Sequence, residues 1–321
     1  MTEAGLIAAR FAHYAALVLV FGAFAYSGFG ERSLAVSRRL NQLGLGSGVA
    51  LLLAAFAVLL ATVAGLGGGF ASLSDPTLWS AVLMDTAFGR VWVARLAMAI
   101  LLIVVGLAVW RGPARALEHL GVLLAGGLAA SVALTGHAQA EEGASGMLHR
   151  FADAAHLVAA AVWLGVLPPL LFLLRRSPDR SVADTGLAAA RLRAFHSIGL
   201  ASVVVLALTG VVNSWFLVGS AERLLTTTYG RILLTKLALF AAMIGLAADN
   251  RLRLVPALSR DLARSADADE ALTRLRSRIR GELALGMLVL AVVAVLGAIA
   301  PAGGCCAEVR ASSQGRLQRG A

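Results

Sequence analysis

The 321-residue chain is 59% hydrophobic and 14% charged, and it carries a net charge of +10. Its mean hydropathy is +0.82, while a soluble domain holds about a quarter charged residues, so the composition excludes a soluble enzyme. The positive charge is nearly all arginine, with Lys236 the one lysine, and it stands in short blocks between apolar runs; that is the pattern of loops beside an anionic membrane surface, not of a nucleic-acid-binding face.

A helix needs about 20 apolar residues to cross the hydrocarbon layer. Runs of that length recur along the chain at 8–29, 43–66, 91–110, 117–136, 151–174, 195–218, 231–249 and 282–301. The first run, from Phe11 to Gly30, is too long for the core of a signal peptide. The third contains Arg95. The expected fold is therefore all-α, a polytopic membrane bundle of about eight spans forming one domain, 1–321. No phosphate-binding glycine motif, Cys-x-x-Cys motif or Asp-Lys-Thr-Gly sequence occurs, so neither ATP-driven transport nor an enzymatic activity is expected.

The loops set the orientation. The first loop holds Arg32, Arg38 and Arg39, the third Arg111 and Arg115, and the fifth Arg175, Arg176, Arg180, Arg191 and Arg193. The seventh holds eight arginines between Arg251 and Arg280, so these loops together outweigh the other side heavily. By the positive-inside rule they face the cytoplasm and both termini are periplasmic. Residues 67–90 include an amphipathic stretch around Leu78 and Trp79, expected to lie along the interface. Residues 250–281 alternate Arg with Asp and Glu at helical spacing, as in a surface helix.

Ionisable groups inside spans are costly and need a reason. His13 lies near the outer end of the first span, His137 at the outer end of the fourth, and His149 and His156 at the start of the fifth with Asp153 between them. Positions 149, 153 and 156 fall within roughly 60° of one another on a helix. Two imidazoles and a carboxylate on one face suit Cu(II) or Zn(II), and Met84 and Met147 in outer loops are soft donors for Cu(I). His119 and His196 lie at cytoplasmic ends and read as interfacial. Cys305 and Cys306 follow the last span; they are adjacent, so they read either as Cu(I) ligands or as incidental or lipid-modified residues. Lys236 lies inside the seventh span, to pair with an acid such as Asp85 or Asp153. Glu282, placed at the inner start of the eighth span, reads as a helix cap or a partner of Arg251. Asn213 is suited to an interhelical hydrogen bond.

Several segments carry a family likeness. They are Arg10-Phe11-Ala12-His13-Tyr14 with Gly22, Leu134-Thr135-Gly136-His137-Ala138, and the run from His156 through Trp163-Leu164-Gly165. Further on come Leu208-Thr209-Gly210 with Asn213, Tyr229-Gly230-Arg231 with Lys236, Asn250-Arg251, Glu282 and Pro301. In these the chain resembles the copper resistance protein CopD family over nearly its whole length. The resemblance implies a copper protein of the bacterial inner membrane, moving copper inward, with a periplasmic CopC-type copper protein as partner. It assigns the motif histidines to His13, His137 and His156; His149, Asp153, Met147, Cys305 and Cys306 rest on spacing and location alone. Lys236, Asn213, Arg231 and Glu282 read as polar groups that are either structural or part of a transport path. Two other readings stay open: a b-type haem protein, with histidines on facing helices as axial ligands, and a factor that delivers copper for oxidase assembly.

Overall fold

The computed structural model describes residues 3–28, 34–112, 114–136, 143–174, 182–263 and 269–303. The secondary structure of these residues is helical, joined by short turns, without a strand. The helices are α1 (Glu3–Gly28), α2 (Leu34–Leu66), α3 (Pro76–Ser80), α4 (Ala87–Arg111), α5 (Arg115–Ser131), α6 (Gly143–Leu173), α7 (Val182–Val218), α8 (Ala221–Thr226), α9 (Thr228–Asp249), α10 (Val255–Ala263) and α11 (Asp269–Leu296). Among the described residues, eight are long and apolar enough to span a membrane: α1, α2, α4, α5, α6, α7, α9 extended into α10, and α11. His137, Cys305 and Cys306 lie outside the described residues.

The first helix is the hub. One face of α1 (Ala16, Leu17, Val20, Phe21 and Phe24) packs against Leu51 of α2, Leu102 and Val105 of α4, and Leu128 of α5. Its other face (Ala15 and Val18) joins Trp163 and Leu167 of α6, Leu206 of α7, Met243 of α9 and Leu290 of α11. The remaining surface is apolar and open, with Leu53, Ile100, Leu123, Val211, Trp215 and Leu288 all exposed. That is the surface lipid requires, since hydrocarbon solvates leucine as well as another leucine does.

The two halves meet where α1 crosses α6. A Cβ atom built on Gly22 would lie 1.6 Å from the carbonyl oxygen of Gly165, and one on Gly165 would lie 2.6 Å from that of Val18. Only two glycines allow backbones to approach this closely, the device by which membrane helices pack through small residues.

Both ends of the bundle can be traced. Arg10 Nη1 donates to the Gly297 carbonyl, tying the start of α1 to the end of α11. Leu6 and Ala9 of α1 pack with Val58 and Val63 of α2 and Trp92 of α4. Val218 of α7, Tyr229 of α9 and Leu296 of α11 form another cluster. The starts of α1, α4, α6 and α9 thus share one face, called here the first face, with the ends of α2, α5, α7 and α11.

The segment after α2 caps this face as a run of short helical turns. Asp75 caps α3, accepting from the Thr77 backbone N–H at 2.8 Å and its hydroxyl at 2.6 Å. These bonds hold its carboxyl below the usual range. Trp79 packs inward, against the α2–α4 cluster, and its indole donates to the Leu73 carbonyl at 2.8 Å. Trp79→Phe keeps the ring and loses that bond; thermal unfolding in detergent should show a loss of about 1 kcal/mol.

Helix ends depart from the apolar runs in two places that matter. α6 begins at Gly143, two turns before the expected start at 151, so His149 lies within the helix rather than ahead of it. α11 begins at Asp269 and not near 282. Its first turns are polar, yet they stay helical because Glu270 and Arg274 pair at 2.6 Å across one turn. Glu282 is therefore neither a helix cap nor a partner of Arg251; it is 3% exposed, deep inside the bundle.

Candidate metal centre

The stripe expected on α6 exists, and it faces α7. The His149 ring stacks on Phe216 with centroids 4.6 Å apart. One turn further, Asp153 Oδ1 accepts from Asn213 Nδ2 at 3.3 Å. One more turn brings His156 Nδ1 to Thr209 Oγ1 at 2.9 Å. Position numbers rise along α6 (149, 153, 156) while their partners fall along α7 (216, 213, 209), as antiparallel packing demands. The stripe is thus a ladder: its groups point to α7 one helical turn apart instead of converging on one another. Among the described residues no three His, Cys, Asp or Glu side chains gather into a metal-sized group.

The ladder fixes the state of His156. The one proton of the Thr209 hydroxyl is committed to the Val205 carbonyl at 2.6 Å. Thr209 Oγ1 must then accept, so His156 carries its proton on Nδ1 and its lone pair is on Nε2. That nitrogen faces Lys236 Nζ of α9 at 3.5 Å. Asp153, His156, Thr209, Asn213 and Lys236 are all half-buried. The backbones of α6 and α9 stand apart here, and Lys236 spans the gap with its own length. A metal cation taking the Nε2 lone pair would occupy the position the ammonium now fills. Such an exchange leaves the charge near Asp153 unchanged when one charge replaces one.

His13 belongs to a second group on the same face. It is 4% exposed and its Nδ1 has no hydrogen-bond partner. Trp92 and Tyr14 flank the ring at 6.1 and 6.0 Å between centroids. Arg95 lies beyond, its guanidinium 4.4 Å above the Trp92 ring. It donates to Ser131 Oγ at 3.1 Å, the Ser131 carbonyl at 2.8 Å and Thr135 Oγ1 at 3.1 Å. This buried arginine is the neighbour of the His13 group that sequence reasoning missed. It stood out only as one cation inside an apolar run, and its partners Ser131 and Thr135, four apart on the next span, were the signal that could have placed it.

The two groups are linked by depth and by Tyr14. His13 and His156 each lie nine residues before the glycines that cross, Gly22 and Gly165, on helices running the same way. Each is therefore about 13 Å from the crossing. Tyr14 lies within electrostatic range of both Arg95 and Asp153, and a Cβ on Gly136 would be 3.9 Å from Asp153 Oδ2. The residue after Gly136 is His137.

The other expected residues sit elsewhere. Met84 and Met147 are exposed. Arg231 holds the corner before α9 by donating to the Leu225 carbonyl at 3.2 Å. Asp85 has no part in the Lys236 group, whose acid is Asp153.

A family model described as copper resistance protein D-like, N-terminal domain, matches residues 1–147, and one described as copper resistance protein D matches residues 189–296. The chain is 32% identical to inner membrane protein YebZ of Escherichia coli over 92% of its own length and 98% of YebZ. It is 33% identical to copper resistance protein D of Pseudomonas syringae pv. tomato over 92% of its length and 96% of that protein. With copper transport protein CutJ of Bacillus subtilis it shares 31% identity over 91% of its length and 52% of CutJ. No solved structure matches the chain.

Proposed function

Because the chain belongs to the copper resistance protein D family, we propose that it moves copper inward across the bacterial cytoplasmic membrane, capturing the ion on the first face. Its place is the inner membrane, as a multi-pass protein, and its role lies in copper homeostasis. The arginine-rich loops support a periplasmic position for the first face and for both termini. A periplasmic copper protein of the CopC type would deliver the ion there.

The observation that carries the reading is the Nε2 lone pair of His156, held among half-buried polar side chains by the Thr209 bond on the other ring nitrogen. A metal-binding imidazole is set in this way, one nitrogen fixed so that the other can ligate. His13 Nδ1 is an unpartnered imidazole nitrogen on the same face, and His137 follows Gly136 in the sequence. Asp153 offers negative charge against the cation Lys236. His149, stacked on Phe216, would line the entrance, with Met147 outside it. Cys305 and Cys306 would serve as a soft landing point beyond α11. Lys236 and Asn213 complete the path at this depth.

The test is copper accumulation by cells lacking other copper importers and expressing the full chain, against a variant with His13, His137 and His156 all changed to alanine. Wild type should raise cell copper and the triple variant should not. Equal uptake by both, at matched membrane levels, would remove the site. The purified protein should also show no Soret band; such a band would make it a haem protein. Unchanged cell copper with loss of a copper oxidase would make it a delivery factor.

A further inference from the structure

The half of the bundle away from His13, His149 and His156 holds a buried carboxyl that copper capture does not use. Glu282 is 3% exposed in the interior of α11. It accepts from Asn250 Nδ2 at the end of α9 and from the Trp163 indole of α6. Both donors are neutral. Among the described residues no cation reaches it. Asp249 engages Arg253 at 3.7 Å and Arg278 at 3.4 Å. Arg251, Arg260 and Arg280 are exposed. In this half α1 contributes only Tyr26 as a titratable group, and α6 contributes none past Gly165.

Asn250 adds an independent observation. Its Oδ1 is buried and has no donor. It also opens a π turn, Asn250–Leu254, between α9 and α10; such turns occur often at functional sites. An amide side chain has a donor end and an acceptor end of the same shape. Facing Glu282 with Nδ2, it satisfies a carboxylate. Turned over, it offers Oδ1 to the O–H of a carboxylic acid. The pair thus accommodates the acid with and without its proton, and a half-turn of one side chain is the only change.

We propose that Glu282 and Asn250 form a proton-binding site in the half of the bundle opposite His13 and His156, and that this site exchanges a proton with water on that side as copper passes. On release the Glu282 O–H bond breaks, the electron pair stays on the carboxylate, and the proton passes to water beyond the π turn. A proton leaving as a copper cation arrives keeps the interior charge from rising, which matters in a low-dielectric bundle. The second clause rests on the copper reading; the first does not.

Infrared difference spectra of the full chain in liposomes, stepped in pH, test the site directly. Wild type should show a carboxylic C=O band that titrates and that is absent from Glu282→Gln, while Glu282→Asp should restore it. Asn250→Leu should move its midpoint by about one pH unit. Size-exclusion profiles identify variants that fail to fold, and Glu282→Asp then decides. Identical titrating bands in wild type and Glu282→Gln overturn the site. In proteoliposomes, wild-type copper flux should follow an imposed pH gradient and Glu282→Gln flux should not; a Glu282→Gln flux that still follows it overturns the coupling. If no copper moves even in wild type, the copper reading falls with the coupling, and the infrared bands alone decide the proton site.

Discussion

Replacing Gly22 by alanine should abolish the folded bundle, the largest single effect expected of any one-methyl change in this chain. The added carbon would lie 1.6 Å from the Gly165 carbonyl oxygen and 2.2 Å from its carbonyl carbon. Both are backbone atoms, so no rotamer change relieves the clash; the helices must separate. Overpacking an ordinary core costs about 1–3 kcal/mol because side chains give way. Here the cost should exceed that range, since separating α1 from α6 also opens the contacts of Ala15 and Val18 with Trp163 and Leu167. The readout is the monodisperse fraction on size exclusion, with thermal unfolding of whatever remains. Gly165→Ala should behave similarly, its Cβ meeting Val18 O at 2.6 Å. Alanine at Gly245, where nothing lies within 4 Å, is the matched control and should be silent. A monodisperse Gly22→Ala protein of wild-type stability would contradict this crossing.

Thr209→Val should lower copper affinity by about 10- to 100-fold while leaving every candidate ligand in place. Valine keeps the shape and removes the acceptor. His156 Nδ1–H then loses its partner, the ring is free to rotate, and the proton can move to the nitrogen a metal would need. Thr209→Ser retains the oxygen and should bind as wild type does. Copper titration of purified protein distinguishes the two, and uptake in cells should fall in parallel for the valine variant. Equal affinity for valine and wild type would show that the Thr209 bond does not position the ring. A loss in both variants would trace the effect to packing against α7.

The two predictions draw on features that differ in how plainly the sequence shows them. The spans were legible because a lipid-crossing helix must be apolar for its whole depth, whatever it packs against. Their ends were not, because the lipid boundary ends the apolar run without ending the helix. The polar turns of α11 persist through the Glu270–Arg274 pair, and that extension moved Glu282 from a supposed helix end to a buried place beside Asn250. The stripe at 149, 153 and 156 was legible as a stripe, since helical periodicity alone puts those residues on one face. Its partners were not, because they depend on the rotation and register of α7 against α6. Neighbours one turn apart on a helix share a direction, and that makes them rungs opposite Phe216, Asn213 and Thr209, not ligands of one ion. Arg95 was visible only as a blemish in an apolar run; its role beside Trp92 and His13 needs the packing of α4 on α5. His137, Cys305 and Cys306 lie outside the described residues, and their part in capture rests on the sequence.

The hub position of α1 also bears on how the protein is made. Of the eight spans, the earliest to be made is the one whose seat is finished last. Gly22 waits for Gly165, which follows it by more than a hundred residues, and Arg10 waits for the Gly297 carbonyl near the end of α11. Until then α1 must stay in the membrane with one face packed on α2, α4 and α5 and the other open to lipid. Assembly is therefore gated by the synthesis of α11 rather than spread evenly along the chain. A chain cut short before α6 would present the Gly22 face to any passing helix, and so would be a natural substrate for membrane quality control.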